Sequence, residues 1–371
     1  MFNIIKKQDA KISSERIAEI ILMAVCFLQI LFLAYMNIVH MEKMVDFDSS
    51  CALMHAREVW LQKTLFIKDW GYQTTIDLDS IVGVVALLYG LTGSIFIAQA
   101  IGNILMILLY FRCISRILDL LEINKAIKYA VITMVFIPYS LGQLGYFPML
   151  FGAGAFYTIR TILPLLVISI LLEVSKASHI NKYWFRLVVA VTMSFFAGLS
   201  SGVYLLLCGF APLLVYEVLN IVIKDDYHEL FNRRIIVELT VCMSAVIGVV
   251  SERFFGYSTK ATTMSLINAE NWMAEIGKYF VGIYELFGGV APVSEVPLLS
   301  EEGITIVIRW ALTSILLFSL VYRIIRSIKL RKLEMIDGMA ISIFAVNFLF
   351  LLYWTFLMGQ ILSNTDIILY P

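Results

Sequence analysis

Apolar residues gather along this chain into long runs bounded by charged positions. Nine of them approach or exceed the length a helix needs to cross the ~30 Å hydrocarbon layer of a bilayer. They cover about residues 17–39, 94–112, 128–145, 154–174, 184–200, 203–222, 235–252, 304–322 and 336–358. The pattern predicts an all-α, polytopic transmembrane protein of about nine spans. A further run, Ile81 to Leu91, is about 11 residues long and ends at a Gly93 break. It is short for a crossing and reads as a helix lying in the interface.

The first run is too long for a signal-peptide core and lacks a small-residue cleavage site, so it is expected to stay as the first span. After Asp48, positions Ala52, Leu53, Ala56, Val59 and Trp60 recur at helical spacing, with Arg57, Gln62 and Lys63 falling elsewhere. That spacing predicts a helix lying on the membrane face, capped by Asp48 or Ser49. Two segments between spans are long enough to hold chemistry, 40–93 and 253–303. No internal repeat or soluble domain is visible, so residues 1–371 read as one integral membrane unit.

Composition sharpens the exclusions. Of 371 residues, 60% are hydrophobic and 15% charged, whereas a soluble domain carries about 25% charged residues, so a soluble enzyme is excluded. Basic and acidic residues balance at 28 each, and no basic stretch has the aromatic interleaving of a nucleic-acid surface. Four of the five cysteines (Cys26, Cys113, Cys208, Cys242) lie in or beside apolar runs and only Cys51 in a polar one, so no disulfide framework is legible. The basic residues are unevenly placed: with the N-terminus in the cytoplasm, 19 of the 28 fall in inside segments and seven in outside loops. Arg160 and Arg309 remain within spans. Counting Ile81 to Leu91 as a crossing would invert every later loop, so the bias favours nine spans, N-terminus in and C-terminus out.

The first outside loop concentrates acid, with Asp46, Asp48, Asp69, Asp77 and Asp79 close together in a charge-poor chain. A carboxylate partly desolvated beside a bilayer becomes a better proton acceptor, and can serve as a general base toward a hydroxyl or amine. The plainer alternative is that Asp48 caps a helix while the other acids keep the loop wet.

The order of the pieces resembles the C-type (GT-C) membrane glycosyltransferase superfamily, which includes protein O-mannosyltransferases and aminoarabinose transferases. Asp48 is followed eight residues on by Ala56, Arg57 and Glu58, as the family's catalytic Asp typically is; Ser49 stands where a Glu often follows. The stretch DWGYQT (Asp69 to Thr74) is similar to an aromatic segment in a bacterial branch of these proteins, and IVGVVALLYGLTGS (Ile81 to Ser94) to their second juxtamembrane helix. LFGG (Leu286 to Gly289) and LLSEEGITIVIRW (Leu298 to Trp310) look like their late outer loop feeding a span. The resemblance implies a polyprenyl-phosphate-linked sugar donor and inverting transfer to an acceptor on the outer face of a bacterial plasma membrane. Asp48 would be the base and Asp46 its helper.

Such a donor needs cations near its leaving phosphate. Arg160 and Arg309, each a turn or two inside the outer end of a span, are the candidates, with Lys260 a third; snorkelling to lipid headgroups is the alternative. Trp70 and Tyr72 can stack on a sugar or simply belong to the interfacial aromatic belt. His40 and His55 have no metal-ligand spacing to the acids and read as surface residues. No cofactor is called for, although some branches of the superfamily use a divalent metal. Glu173, Glu217 and Glu238, near inner span ends, are assigned no chemistry. Pro138, Gly142, Gly145 and Pro148 mark either an acceptor groove or a tight turn. The competing functions are a transporter or flippase of lipid-linked sugars, and a noncatalytic membrane subunit. Transporters tend to show repeats and midplane polar groups, whereas the acids here collect in one loop.

Overall fold

The computed structural model describes residues 14–67, 70–71, 76–137, 150–152, 155–176, 183–201, 205–224, 232–252, 254, 272–290 and 296–358. All regular structure among them is helical. α1 (Ser14–Val39) leads through the single turn of α2 (Met41–Met44) into α3 (Phe47–Gln62), followed by α4 (Val82–Thr92), α5 (Ile95–Leu120) and α6 (Lys125–Val135). A 3-10 turn at Ala155–Tyr157 opens α7 (Thr158–Lys176), and α8 (Trp184–Ser201) comes next. A π-helical turn, Leu205–Phe210, runs into α9 (Ala211–Lys224); α10 (Arg233–Glu252), α11 (Trp272–Leu286), α12 (Glu301–Leu330) and α13 (Met335–Met358) complete the order. Among the described residues six helical segments are long and apolar enough to cross a membrane: α1, α5, α7, the π-turn with α9, α10 and α12. The chain is an α-helical integral membrane protein. The interruption read at Pro138 to Pro148 lies outside the described residues.

Local sequence explains the boundaries. Gly93, at φ +67°, ends α4 with its N–H on the Tyr89 carbonyl, and Ser94 then caps α5 by accepting from the Ile97 N–H. This Gly-Ser pair turns a short apolar helix into a long one. Ser300 caps α12 in the same way, ahead of Glu301 and Glu302, whose charges suit a helix N-terminus. The cap of α3 differs from the expected Asp48 or Ser49. Asp46, in extended backbone, accepts from the Ser49 N–H at 2.8 Å, because the helix begins at Phe47 and its orphan donors fall within reach of the residue before it.

The expected apolar face of α3 is correct in its residues and different in its partner. Leu53, Ala56 and Val59 are buried against Val82, Val85 and Ala86 of α4 rather than laid on lipid. Uncharged α4 supplies a protein surface that packs more densely than acyl chains. Phe47, Met54 and Leu61, spaced by seven along the other side of α3, are the exposed apolar stripe.

Two cores share one helix. The first gathers α1, α3, α4, α5 and α6 on Ile162 of α7; the second gathers α8, α9, α10 and the start of α13 on Leu163, Val167, Ile170 and Leu171 of α7. Of the most apolar stretch of α7, 56% is buried, against 11% in α1 and α12. Inside the first core Asn37 donates to the Leu33 and Phe151 carbonyls, and Asn103 donates to Asn37 Oδ1 and the Gly152 carbonyl, each at 2.7–2.8 Å. Gln99 donates to Asn103 Oδ1 at 3.0 Å. Buried amides find partners across helices here because hydrocarbon offers none.

Ion pairs join the helices at one end. Glu15 and Glu19 of α1 meet Asn124 and Lys125 at the start of α6. Arg116 of α5 and Arg186 of α8 share Glu173 of α7. Lys176 binds Glu122 and holds that exposed carboxyl below its usual range. Arg234 pairs with Glu217 and Arg323 with Asp337, tying the start of α10 to the middle of α9 and the last third of α12 to the start of α13. The segments richest in Lys and Arg thus meet at a single, basic end.

α8 and α10 run parallel in close contact. Ser244 donates to the Val191 carbonyl, and four residues further along Gly248 lies against the Phe195 carbonyl. A Cβ on Gly198 would collide with the Ala245 carbonyl, and one on Gly248 with that of Phe195. Small residues bring the backbones together where lipid cannot push helices into contact. Gly198→Leu or Gly248→Leu should therefore lower stability by about 3 kcal/mol, read as the midpoint of denaturant titration in micelles. Gly277→Ala, where nothing lies within 4 Å of the added carbon, should instead raise it by about 0.5–1 kcal/mol.

Candidate functional site

Away from the basic end, the turn between α3 and α4 folds inward. Ile76 and Ile81, each 1% exposed, anchor its two sides. Between them Asp77 adopts φ +61°, and its carbonyl accepts from both the Ser80 N–H (3.2 Å) and the Ser80 hydroxyl (2.6 Å). A non-glycine residue in this region is costly and persists where the surroundings over-determine it. The turn carries Asp79 to complete burial.

Arg160, third residue of α7, meets Asp79 with both ends of its guanidinium fork: Nε to Oδ2 at 2.7 Å and Nη2 to Oδ1 at 3.1 Å. Ser200, near the end of α8, donates its hydroxyl to Asp79 Oδ1 at 2.7 Å and accepts from the Leu78 N–H at 3.2 Å. The Arg160 guanidinium also lies 5.3 Å from the centroid of Tyr157. This clamp joins the 76–81 turn to α7 and α8, and its bidentate form gives it direction as well as attraction. It answers the cost of placing a cation in an apolar run, which snorkelling alone would leave to lipid headgroups.

A second cluster sits beside it. His55 of α3 places Nδ1 3.5 Å from Asp77 Oδ2, and its ring stacks on Trp70 at 5.1 Å with 19° between planes. His55 is only 1% exposed, which corrects its assignment to the surface. It stands one turn before Val59, with which it shares the i, i+4 row on the buried side of α3, and the turn folds over it. One face of Trp70 is therefore taken by an imidazole. Asp77 and Asp79, two apart, serve the two clusters separately.

Chain geometry next to Arg160 leaves space. Pro164 cannot offer an N–H to the Arg160 carbonyl one turn earlier, and Gly209 of the π-helical turn lies against the proline ring. Single π turns often mark functional sites. Between them is a cavity of about 310 Å³, lined by Arg160, Thr161, Tyr110 and Tyr157 among apolar residues such as Leu205 and Leu213. Arg309 lines a different cavity of about 640 Å³ with Glu285, Glu301, Glu302 and Thr305. The two arginines have no lining residue in common.

Asp48 is half-buried in the first turn of α3 and Asp46 is exposed. Neither lines those cavities or a third between α3 and α4. Tyr72 and Lys260 lie outside the described residues. Glu173 and Glu217 take basic neighbours, whereas buried Glu238 has no hydrogen-bond partner for either oxygen among the described residues. Among those residues no three His, Cys, Asp or Glu side chains gather as a metal set.

Sequence reasoning picked out Arg160 and missed Asp79, Ser200 and His55. The available signal was the arginine itself: a cation inside an apolar run calls for an acid, and five aspartates stood in one loop.

No known protein family, curated protein or solved structure matches the chain. Asp79→Ala and Arg160→Ala should each destabilise the protein by about 3–5 kcal/mol, since each strands a buried charge. The double variant should cost clearly less than the sum of the two, a coupling that a double-mutant cycle on unfolding in micelles measures.

Proposed function

We propose that this protein is a membrane glycosyltransferase of the GT-C plan, transferring a sugar from a polyprenyl-phosphate donor to an acceptor on the outer face of a bacterial plasma membrane. The observation that carries this reading is the succession α1, α3, α4, α5. Two short helices pack on each other between the first two long ones, with Asp46 and Asp48 at the start of the first. Nine crossings with the N-terminus inside belong to the same proposal. They agree with the gathering of basic segments at one end and of the Asp79–Arg160 clamp away from it.

In this reading the cavity beside Arg160 takes the lipid end of the donor. Its walls are apolar apart from the guanidinium and a few hydroxyls, which suits an isoprenoid ending in phosphate. Asp79 neutralises Arg160, so the arginine contributes oriented donors more than net charge. Because Arg309 lines a separate cavity, the phosphate role falls to Arg160. Trp70, Tyr72 and Lys260 are donor-side contacts in the same proposal. The acceptor oxygen attacks the anomeric carbon, whose bond to the phosphate oxygen breaks with its electron pair leaving on the phosphate. The hydroxyl proton passes to Asp48, and configuration inverts.

A noncatalytic membrane subunit is the second reading, favoured by the position of Asp48 outside all three cavities. Turnover of labelled polyprenyl-phosphate sugars by purified protein separates the two. Asp48→Asn should reduce transfer about 10²- to 10⁴-fold while leaving donor binding intact. Transfer that survives the substitution unchanged removes Asp48 as base, and donor binding without turnover in the unsubstituted protein favours the subunit.

A further inference from the structure

Between α3 and α4 lies a cavity of about 530 Å³, closed at the back by Ile159 of α7 and Met193 of α8, within the ~300–1,000 Å³ range of sites that hold small molecules. Its walls are mainly hydrocarbon, with Leu65, Val84 and Leu87 along them. Among the described residues of the lining, Lys63 is the one that carries a charge. Lys63 is held in place. It caps α3 in the left-handed conformation at φ +54°, and its ammonium lies 3.1 Å from the centroid of the Trp60 ring. That ring in turn fills the space a side chain at Gly90 would need.

The polar groups at the rim are already committed. The Thr64 hydroxyl donates to the Phe66 carbonyl at 3.0 Å, and that of Ser80 to the Asp77 carbonyl at 2.6 Å. Lys63, exposed, is therefore the charged donor that the described lining presents to a ligand. Gly83 contributes room: its nearest neighbour, Leu65 Cδ2, is 3.9 Å from where a Cβ would stand. Leu65 and Leu87 of the lining are 45% and 65% exposed, so the cavity meets the surface at apolar side chains.

We infer that this cavity binds one membrane phospholipid with an anionic headgroup, its acyl chain along Val84, Leu87 and Met193 and its phosphate at Lys63. An apolar chamber with a single cation at its mouth matches an amphiphile carrying one negative charge. A zwitterionic headgroup would bring an ammonium for which the described residues of the lining hold no acid. The site stands independently of sugar transfer. It adjoins the clamp, since Leu78 and Ser80 flank Asp79 and Ile159 precedes Arg160, so the lipid braces the turn that positions the buried ion pair.

The test uses the full chain in nanodiscs of equal parts phosphatidylglycerol and phosphatidylcholine, with lipid retention counted by native mass spectrometry. The expected result is one retained phosphatidylglycerol, preferred about five-fold, the worth of one cation near an anionic lipid. Gly83→Ala should keep it and Gly83→Leu, which fills the chamber, should lose it. Lys63→Gln should keep a bound lipid and equalise the two classes. Equal retention of both lipids by the unsubstituted protein, or undiminished phosphatidylglycerol on folded Gly83→Leu, overturns the proposal. Should Gly83→Leu fail to fold, Lys63→Gln decides: an unchanged preference for phosphatidylglycerol overturns it.

Discussion

A guanidinium inside an apolar helix is tolerable only against a partner of opposite charge, and Asp79 meets that constraint for Arg160. The partner comes from a turn more than eighty positions earlier, and Ser200 closes the group from a third segment. Everything around the site inherits this geometry. The turn must fold inward to deliver the carboxylate, which places Asp77 in a strained conformation and brings His55 and Trp70 together under it. α7 must sit at the centre, because the clamp at its start and the two cores along its length all draw on the same helix.

Elsewhere the fold is held by the forces that act when lipid competes for apolar surface. Hydrocarbon side chains gain little by leaving acyl chains for one another, so polar and small residues decide which helices meet. Asn37, Asn103 and Gln99 link α1 and α5 to the 150–152 segment, while Gly198 and Gly248 allow α8 and α10 to approach until backbone meets backbone. At the basic end, carboxylates at helix ends take arginines and lysines from neighbouring helices. The result is a bundle whose two ends differ in chemistry.

The cavities divide the possible chemistry among different elements. One lies beside Arg160 where Pro164 and the π-helical turn leave the packing incomplete. Another joins α11 to α12 and mixes three carboxylates with Arg309. The third, between the two short helices, is mainly apolar with one cation among its described residues. A chain with these compartments can hold amphiphiles at more than one place, and the two arginines need not serve one ligand.

Much of this architecture was legible in the amino-acid order. The apolar runs forecast the long helices, the break at Gly93 forecast where α4 stops, and the spacing of Leu53, Ala56 and Val59 forecast the buried face of α3. These are local properties, fixed by side-chain hydrophobicity and backbone preference within a few residues. That Arg160 is a cation inside an apolar run was equally plain. Which of five aspartates would answer it was not, because that choice depends on how the turn folds over α7 and α8. The same holds for His55, whose burial comes from Trp70 and Asp77 arriving over it, and for Asp46, which took the cap from Asp48 because α3 begins two residues earlier than that cap would have it. The sequence determined the helical membrane class, the helix periods and the presence of a cation within an apolar run; only the tertiary structure decided the partners, since pairing energies depend on distances between segments that are remote along the chain.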